Sequence, residues 1–135
     1  MDKVTEDLKK KVRQSAKEAA KFAYAPYSNF QVGAAVLFKN GTIESGCNVE
    51  NASFGLTICA ERNAIAKGIS KGAKEIALIV VYTPTPKPTS PCGACRQVIN
   101  EFGAGCDIES ICDGGDTIAM SSNKLLPQAF GPQNL

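Results

Sequence analysis

EIALIVVYTPTPKPTSPCGACRQ, residues 75–97, holds the stretch on which the fold turns. Its first eight residues are almost continuously apolar. A half-exposed strand alternates, whereas a run of this kind fits a strand buried on both faces. That implies a sheet with helices covering each side. TPTPKPTSP follows as a loop, because proline cannot donate to a ladder and breaks helices. A helix is then expected from Pro91 to about Phe102, with Ser90 as N-cap, Pro91 at the first helical position and Gly103 as the stop.

The rest of the chain assembles around this centre. Val4, Leu8, Val12, Ala16, Ala19, Ala20 and Ala23 recur at helical spacing, so residues 4–23 read as a helix packed by one face. Pro26 ends it, and YAPYSNF reads as a structured loop. QVGAAVLF (31–38) and TIESGCNV (42–49) read as antiparallel strands joined through Asn40-Gly41, a strong hairpin signal. Residues 50–57 form a loop of small residues, and 58–68 a helix stopped by Gly68. DIESICD (107–113) and TIAM (117–120) are strands around Gly114-Gly115, and the tail holds a short helical turn. The order is helix, strand, strand, helix, strand, helix, strand, strand. This is an α/β fold with a mixed sheet of about five strands, in one domain spanning 1–135.

Composition narrows the function. The chain has 135 residues, 44% hydrophobic and 21% charged, with a net charge of +2. No apolar run reaches the roughly 18 residues of a membrane span. The N-terminal stretch lacks the apolar region of a secretory signal, so a cytoplasmic protein is expected. The lysines are dispersed apart from Lys9–Lys11, which lie on a helical pattern, so a nucleic-acid footprint is weak. There is no histidine. Ser-His-Asp and Cys-His chemistry are therefore excluded, and any general base must be a carboxylate, a lysine or a bound hydroxide.

Six cysteines are present. Cys92 and Cys95 stand three apart at the expected helix start, on one face of its first turn. Cys59 stands near the start of the other helix. Helix N-termini carry partial positive charge and free N–H groups, which stabilise thiolates. Three thiolates are one fewer than a closed structural zinc site has, and catalytic zinc keeps three protein ligands and an open position. Glu61, two residues after Cys59, would be the acid beside them, and zinc lowers the pKa of water from about 15.7 toward 7. Arg62 could drain negative charge from the sulfurs by hydrogen bonding. Taken singly, Glu61 is equally a first-turn residue favoured by the helix dipole, and Arg62 a surface charge. Cys47, Cys106 and Cys112 lie on or beside expected strands and read as reduced core residues, although any could be a fourth ligand.

The pattern C-A-E…P-C-G-A-C is similar to the zinc deaminase signature. With APYSNFQVGAA (25–35), GCNVENASFG (46–55), CAER (59–62), SPCGACRQ (90–97) and LLPQAFGP (125–132), the chain resembles the short, homotetrameric, all-cysteine cytidine deaminases over about residues 20–131. The resemblance implies a three-layer α/β/α sandwich. It implies one Zn²⁺ per subunit on Cys59, Cys92 and Cys95, with Glu61 as proton shuttle. Asn48 and Glu50 would bind the ribose hydroxyls, and Phe30 would pack on the pyrimidine. Phe130 would reach a base in a neighbouring subunit, and backbone near Ala52, Cys59 and Ala60 would contact ribose and base. Read alone, Asn48 and Glu50 are an ordinary polar strand end, and the two phenylalanines core packing. Phe54 departs from the tyrosine common in the family, which removes a phenol contact. The expected reaction is hydrolytic deamination of free cytidine and deoxycytidine, with no nucleic-acid or membrane partner. Alternatives are an editor of single-stranded nucleic acid, a deaminase of a cytosine-containing antibiotic, a non-catalytic zinc module and a thiol-redox protein.

Overall fold

The computed structural model describes residues 3–135. Five strands form one sheet in the order β2-β1-β3-β4-β5. They are β1 (Gly33–Phe38), β2 (Ile43–Cys47), β3 (Ile76–Thr83), β4 (Asp107–Cys112) and β5 (Ile118–Ser121). β3 is central. It pairs antiparallel with β1 and parallel with β4, and the other pairings are antiparallel. The mixed sheet expected from the sequence is therefore present.

Helix α1 (Glu6–Ala20) covers one face and α2 (Ala60–Ser70) and α3 (Gly93–Gly103) the other. Under α1, Val12 and Ala16 pack on Ala35, Leu37, Leu78 and Val80. Under α2 and α3, Ala64, Ile65 and Ile99 pack on Ala34, Val36, Phe38 and Ile79. Alternate residues of β1 and β3 thus feed opposite cores, which is why both strands read as unbroken apolar runs. Thr5 caps α1, its Oγ1 accepting from Leu8 N at 3.2 Å. Among the described residues α1 begins two residues later and ends three earlier than its periodicity suggested, because Lys21 and Phe22 close it with turn-type bonds.

Two glycines set how closely the helices approach. A Cβ at Gly33 would meet the Ala16 carbonyl oxygen at 2.0 Å, and one at Gly46 would meet Ala64 N at 2.7 Å. Both obstacles are backbone, so only glycine lets α1 lie on β1 and α2 on β2 at these distances. The hairpin turn forms as expected, with Gly41 at φ +92° and Phe38 N donating to Thr42 O at 2.9 Å.

The starts of α2 and α3 differ from expectation as well. α2 begins at Ala60 with Cys59 as its N-cap, not at residue 58, and it runs through Gly68 to Ser70, because Gly68 gives room to the Phe38 ring and does not end the helix. The N-cap of α3 is Cys92, not Ser90. The Arg96 guanidinium draws the preceding loop away from the helix. Nε donates to Pro91 O at 2.7 Å, Nη2 to Ser90 Oγ at 2.8 Å and Nη1 to Leu125 O at 3.0 Å. The first helical bond is therefore Arg96 N to Cys92 O. The short tail helix α4 (Ser122–Leu125) is held to α3 through the same guanidinium.

Candidate metal centre and active site

α2 and α3 both begin at the C-terminal end of the parallel pair β3–β4, where open α/β sheets place their sites. Both N-caps are cysteines, Cys59 and Cys92, and neither side chain caps its helix. A cap would normally be Ser, Thr, Asp or Asn. Here the thiols turn away from the backbone and toward each other. The Sγ atoms of Cys59 and Cys92 are 3.9 Å apart. With Cys95 Sγ, all three lie within 4.8 Å of one another. Tetrahedral zinc with bonds of about 2.3 Å spaces its sulfurs by ~3.8 Å, so the three sulfurs fit such an ion.

The chemistry of the donor set fits as well. The Cys59 thiol is pulled well below its ordinary pKa by hydrogen bonding from Cys95 and then from Arg62, against the penalty of burial. Cys95 is pushed up by the same hydrogen bond and by its own burial. One thiol ionises readily and its charge resists the next, so a cation is what would hold all three as thiolates. Arg62 Nη2 donates to Cys59 Sγ and to Thr57 O, each at 3.4 Å. The guanidinium therefore reaches the sulfur expected of it.

Glu61 lies in the first turn of α2 and is only 5% exposed. Burial raises its carboxyl pKa, and the negative charge at Cys59 raises it further. A carboxyl raised above its usual range can both take and give a proton near neutral pH.

The wall opposite the sulfurs is built by an extended segment. Val49 is bridged to Tyr24 on one side and Ile58 on the other. Tyr24 N donates to Asn48 O and Glu50 N to Tyr24 O, both at 2.9 Å, while Val49 N donates to Ile58 O at 2.9 Å. Val49 is exposed outward, and its neighbours Asn48 and Glu50 face the cavity together, as the two-residue period requires. The Val49–Ile58 bridge also fixes Cys59, the next residue.

The resulting cavity has a volume of about 240 Å³. Phe30, Asn48, Glu50, Cys59, Ala60, Glu61 and Cys92 all line it. Ala52 and Phe130 do not. Ala52 is exposed on the loop before Cys59. Phe130 is 61% exposed on the tail, its carbonyl held by Gln97 Nε2 at 2.8 Å. Asn48 does more than a polar strand end would. Its Oδ1 accepts from Val32 N at 2.9 Å and its Nδ2 donates to Phe30 O at 2.8 Å, so it pins the Phe30 loop and keeps one donor free. Ser28, Val32, Thr57, Val81, Thr89 and Ser90 also line the cavity. No spacing rule marks them, because they come from five separate stretches of chain. Ser28 and Val32 fall inside APYSNFQVGAA and Ser90 inside SPCGACRQ, but nothing there marks any of the three as lining the cavity.

Cys106 is buried as expected, whereas Cys47 and Cys112 are half-buried. None of the three joins the sulfur cluster.

Comparison with known proteins agrees with this geometry. Residues 6–106 match the cytidine and deoxycytidylate deaminase zinc-binding region. A cytidine deaminase of Sporosarcina psychrophila is 45% identical over 130 residues, covering 96% of this chain and 95% of the relative. One from Halalkalibacterium halodurans is 44% identical, covering 90% and 93%. The solved structure of a cytidine deaminase from Burkholderia pseudomallei superposes with a TM-score of 0.85 at 44% identity, covering 90% of this chain and 98% of that one. A five-stranded mixed sheet, two cysteine-capped helices and near full-length identity to these proteins lead to one statement: the chain belongs to the cytidine and deoxycytidylate deaminase family.

Proposed function

We propose that this protein is a zinc-dependent deaminase of free cytidine and deoxycytidine, producing uridine or deoxyuridine and ammonia. The observation that carries the reading is the convergence, on one small cavity, of three cysteine sulfurs, a buried carboxyl and a polar wall of Asn48 and Glu50.

Cys59, Cys92 and Cys95 would hold the zinc, which supplies the Lewis acidity that lets a water lose its proton near neutral pH. Glu61 takes that proton and delivers it to ring N3. The water oxygen bonds to C4, and Glu61 then carries that oxygen's remaining proton to the amine as the C4–N4 bond breaks, so water is consumed and ammonia released. Its burial keeps the carboxyl from being levelled by solvent between the two transfers. Arg62 draws charge from Cys59 and so limits how far three thiolates blunt the metal. Phe30 packs on the pyrimidine. Asn48 and Glu50 receive the sugar hydroxyls, and backbone at Ala60 borders the base. Ala52 and Phe130 would contribute from the rim or across a subunit boundary.

The lining includes no lysine or arginine. A nucleotide's 5′-phosphate would find no cation there, which favours a free nucleoside over a nucleotide or a polynucleotide. A homotetramer is part of the same reading. Phe22, Tyr24, Phe54, Leu56 and Phe130 are all more than half exposed, and apolar surface of this size favours contact with other copies. Among the described residues no helix is long and apolar enough to cross a membrane, and we place the enzyme in the cytoplasm.

The test is to incubate zinc-loaded protein with cytidine and follow loss of the cytosine ultraviolet band. Wild type should convert it. Glu61→Gln should lose roughly 10²–10⁴-fold in turnover while retaining one zinc per chain. Loss of zinc in that variant would make Glu61 a ligand instead. No conversion by a fully zinc-loaded wild type would overturn the reading.

A further inference from the structure

We propose that Ser28 is a positioning residue that ties the sugar-binding wall of the cavity to the base-binding wall. This rests on the deaminase reading above and assigns a role to a residue with no chemistry of its own in that reaction. The Ser28 hydroxyl donates to Glu50 Oε2 and accepts from Phe30 N at 3.0 Å. One side chain thus touches the carboxylate that would hold the ribose and the backbone of the aromatic ring that would hold the pyrimidine.

The other oxygen of Glu50 is held separately. Oε1 accepts from Tyr27 N at 2.9 Å and Ser28 N at 3.2 Å. Those two bonds alone anchor one oxygen and leave the carboxylate free to swing, because its terminal torsion is broad and nearly two-fold. The Ser28 hydroxyl anchors the second oxygen and fixes the plane. An ionised carboxylate has about four acceptor positions. With three filled by the loop, the remaining one faces in a single set direction, toward the cavity that both residues line.

The loop itself needs this anchoring. Asn29, between Ser28 and Phe30, sits in the left-handed region at φ +56°. Asparagine tolerates that conformation better than other residues with a Cβ, which is what the tight turn at this position asks for. Asn29 N donates back to Ala25 O at 3.0 Å. The tight turn brings Ser28 Oγ under Phe30 N, so the bond to Glu50 and the direction of Phe30 are set together. Glu50 is also kept ionised by the arrangement: the Ser28 hydroxyl, with the backbone donors of Tyr27 and Ser28, holds its carboxyl below the usual value.

The experiment compares wild type, Ser28→Ala and Ser28→Thr, each zinc-loaded. It measures kcat and KM for cytidine, then inhibition constants of uridine and 2′,3′-dideoxyuridine against that reaction. Ser28→Ala should raise KM for cytidine and the uridine constant by about tenfold, the size expected for losing a hydrogen bond to a charged group. The 2′,3′-dideoxyuridine constant should rise less, by about two- to threefold, since that ligand loses the set direction of Phe30 but has no ring hydroxyl for Glu50 to hold. Ser28→Thr, which keeps the hydroxyl, should restore both values. Equal weakening of uridine and 2′,3′-dideoxyuridine, or an unchanged KM in Ser28→Ala, would overturn the proposal while leaving the deaminase intact. A wild type that fails on cytidine would instead sink the deaminase reading.

Discussion

The two ends of the parallel pair β3–β4 both open onto cavities, and the one with chemistry is the smaller. At the N-terminal end a cavity of about 440 Å³ is lined by Lys39, Glu75, Cys106 and Asp107 among others. At the C-terminal end the cavity is about 240 Å³. Volume does not separate them in the right direction; the direction of the helices does. α2 and α3 start at the smaller cavity and bring free N–H groups and positive dipole ends to it, which favour thiolates. α3 ends at the larger one, at Gly103. The lining charges at that end include one ion pair, Lys39 Nζ lying 2.9 Å from Glu75 Oε2, and no cluster of metal-ligating groups forms there among the described residues. The cysteine at that end, Cys106, stands apart from the sulfur cluster, with its thiol pushed up to about 12 by burial. Convergence of groups that still need a partner marks a site better than empty space does.

The sharpest way to break that contrast is to remove a sulfur from each end. Cys95→Ala should abolish stoichiometric zinc binding and lower turnover by more than the roughly 10²–10⁴-fold of a lost acid–base group, read by metal analysis and the cytidine assay. Cys106→Ala should leave both intact and cost about 1 kcal/mol of stability for the small void left behind. If Cys106→Ala lost zinc, the two ends would not be chemically distinct.

A smaller effect is expected on the far face of the sheet. Arg13 Nε meets Glu109 Oε1 at 2.8 Å, with the glutamate side chain only 10% exposed, and Arg13 Nη1 reaches Glu6 Oε1 at 2.8 Å. Arg13→Met leaves Glu109 without its partner. It should lower stability by about 1–3 kcal/mol, less than a fully buried pair because Arg13 is partly wet. Thermal melts should fall while KM for cytidine stays put, since α1 does not line the site cavity.

Thiol labelling sharpens the comparison further. In metal-stripped protein at pH 8, Cys59 should react with alkylating reagent well before Cys106, because the first is shifted down and the second up and buried. Mass spectrometry of peptides gives the order, and adding zinc should protect Cys59 alone of the pair.

The smallest expected change is with acid. The folded pKa of Glu50 lies below its ordinary 4.5, chiefly because of Ser28. A depressed carboxyl contributes stability that is complete above the unfolded value and disappears as pH falls through the folded one. The 25–30 loop should therefore hold at pH 5 and loosen only below about 4.5, followed by hydrogen exchange at Tyr27 and Ser28. Loosening already at pH 6 would mean that Glu50 does not anchor it.

The sequence by itself determined the element order, the buried central strand, the hairpin and the three sulfurs with their neighbouring acid. Each of these is written in local periodicity or short spacing: unbroken apolar runs in 31–38 and 75–82, Asn40-Gly41, C-x-E and P-C-x-x-C. Only the tertiary structure decided what depends on partners far along the chain. Ser90 carries every local mark of an N-cap, yet Arg96 takes its hydroxyl and Cys92 becomes the cap. Asn48 read alone is an ordinary polar strand end, yet the backbone of Phe30 and Val32 occupies most of its amide. Ser28 reads only as part of the structured loop YAPYSNF, yet its partner Glu50 lies 22 residues away. A hydrogen bond is satisfied by whichever group the fold brings nearest, and no periodicity along the chain encodes that distance.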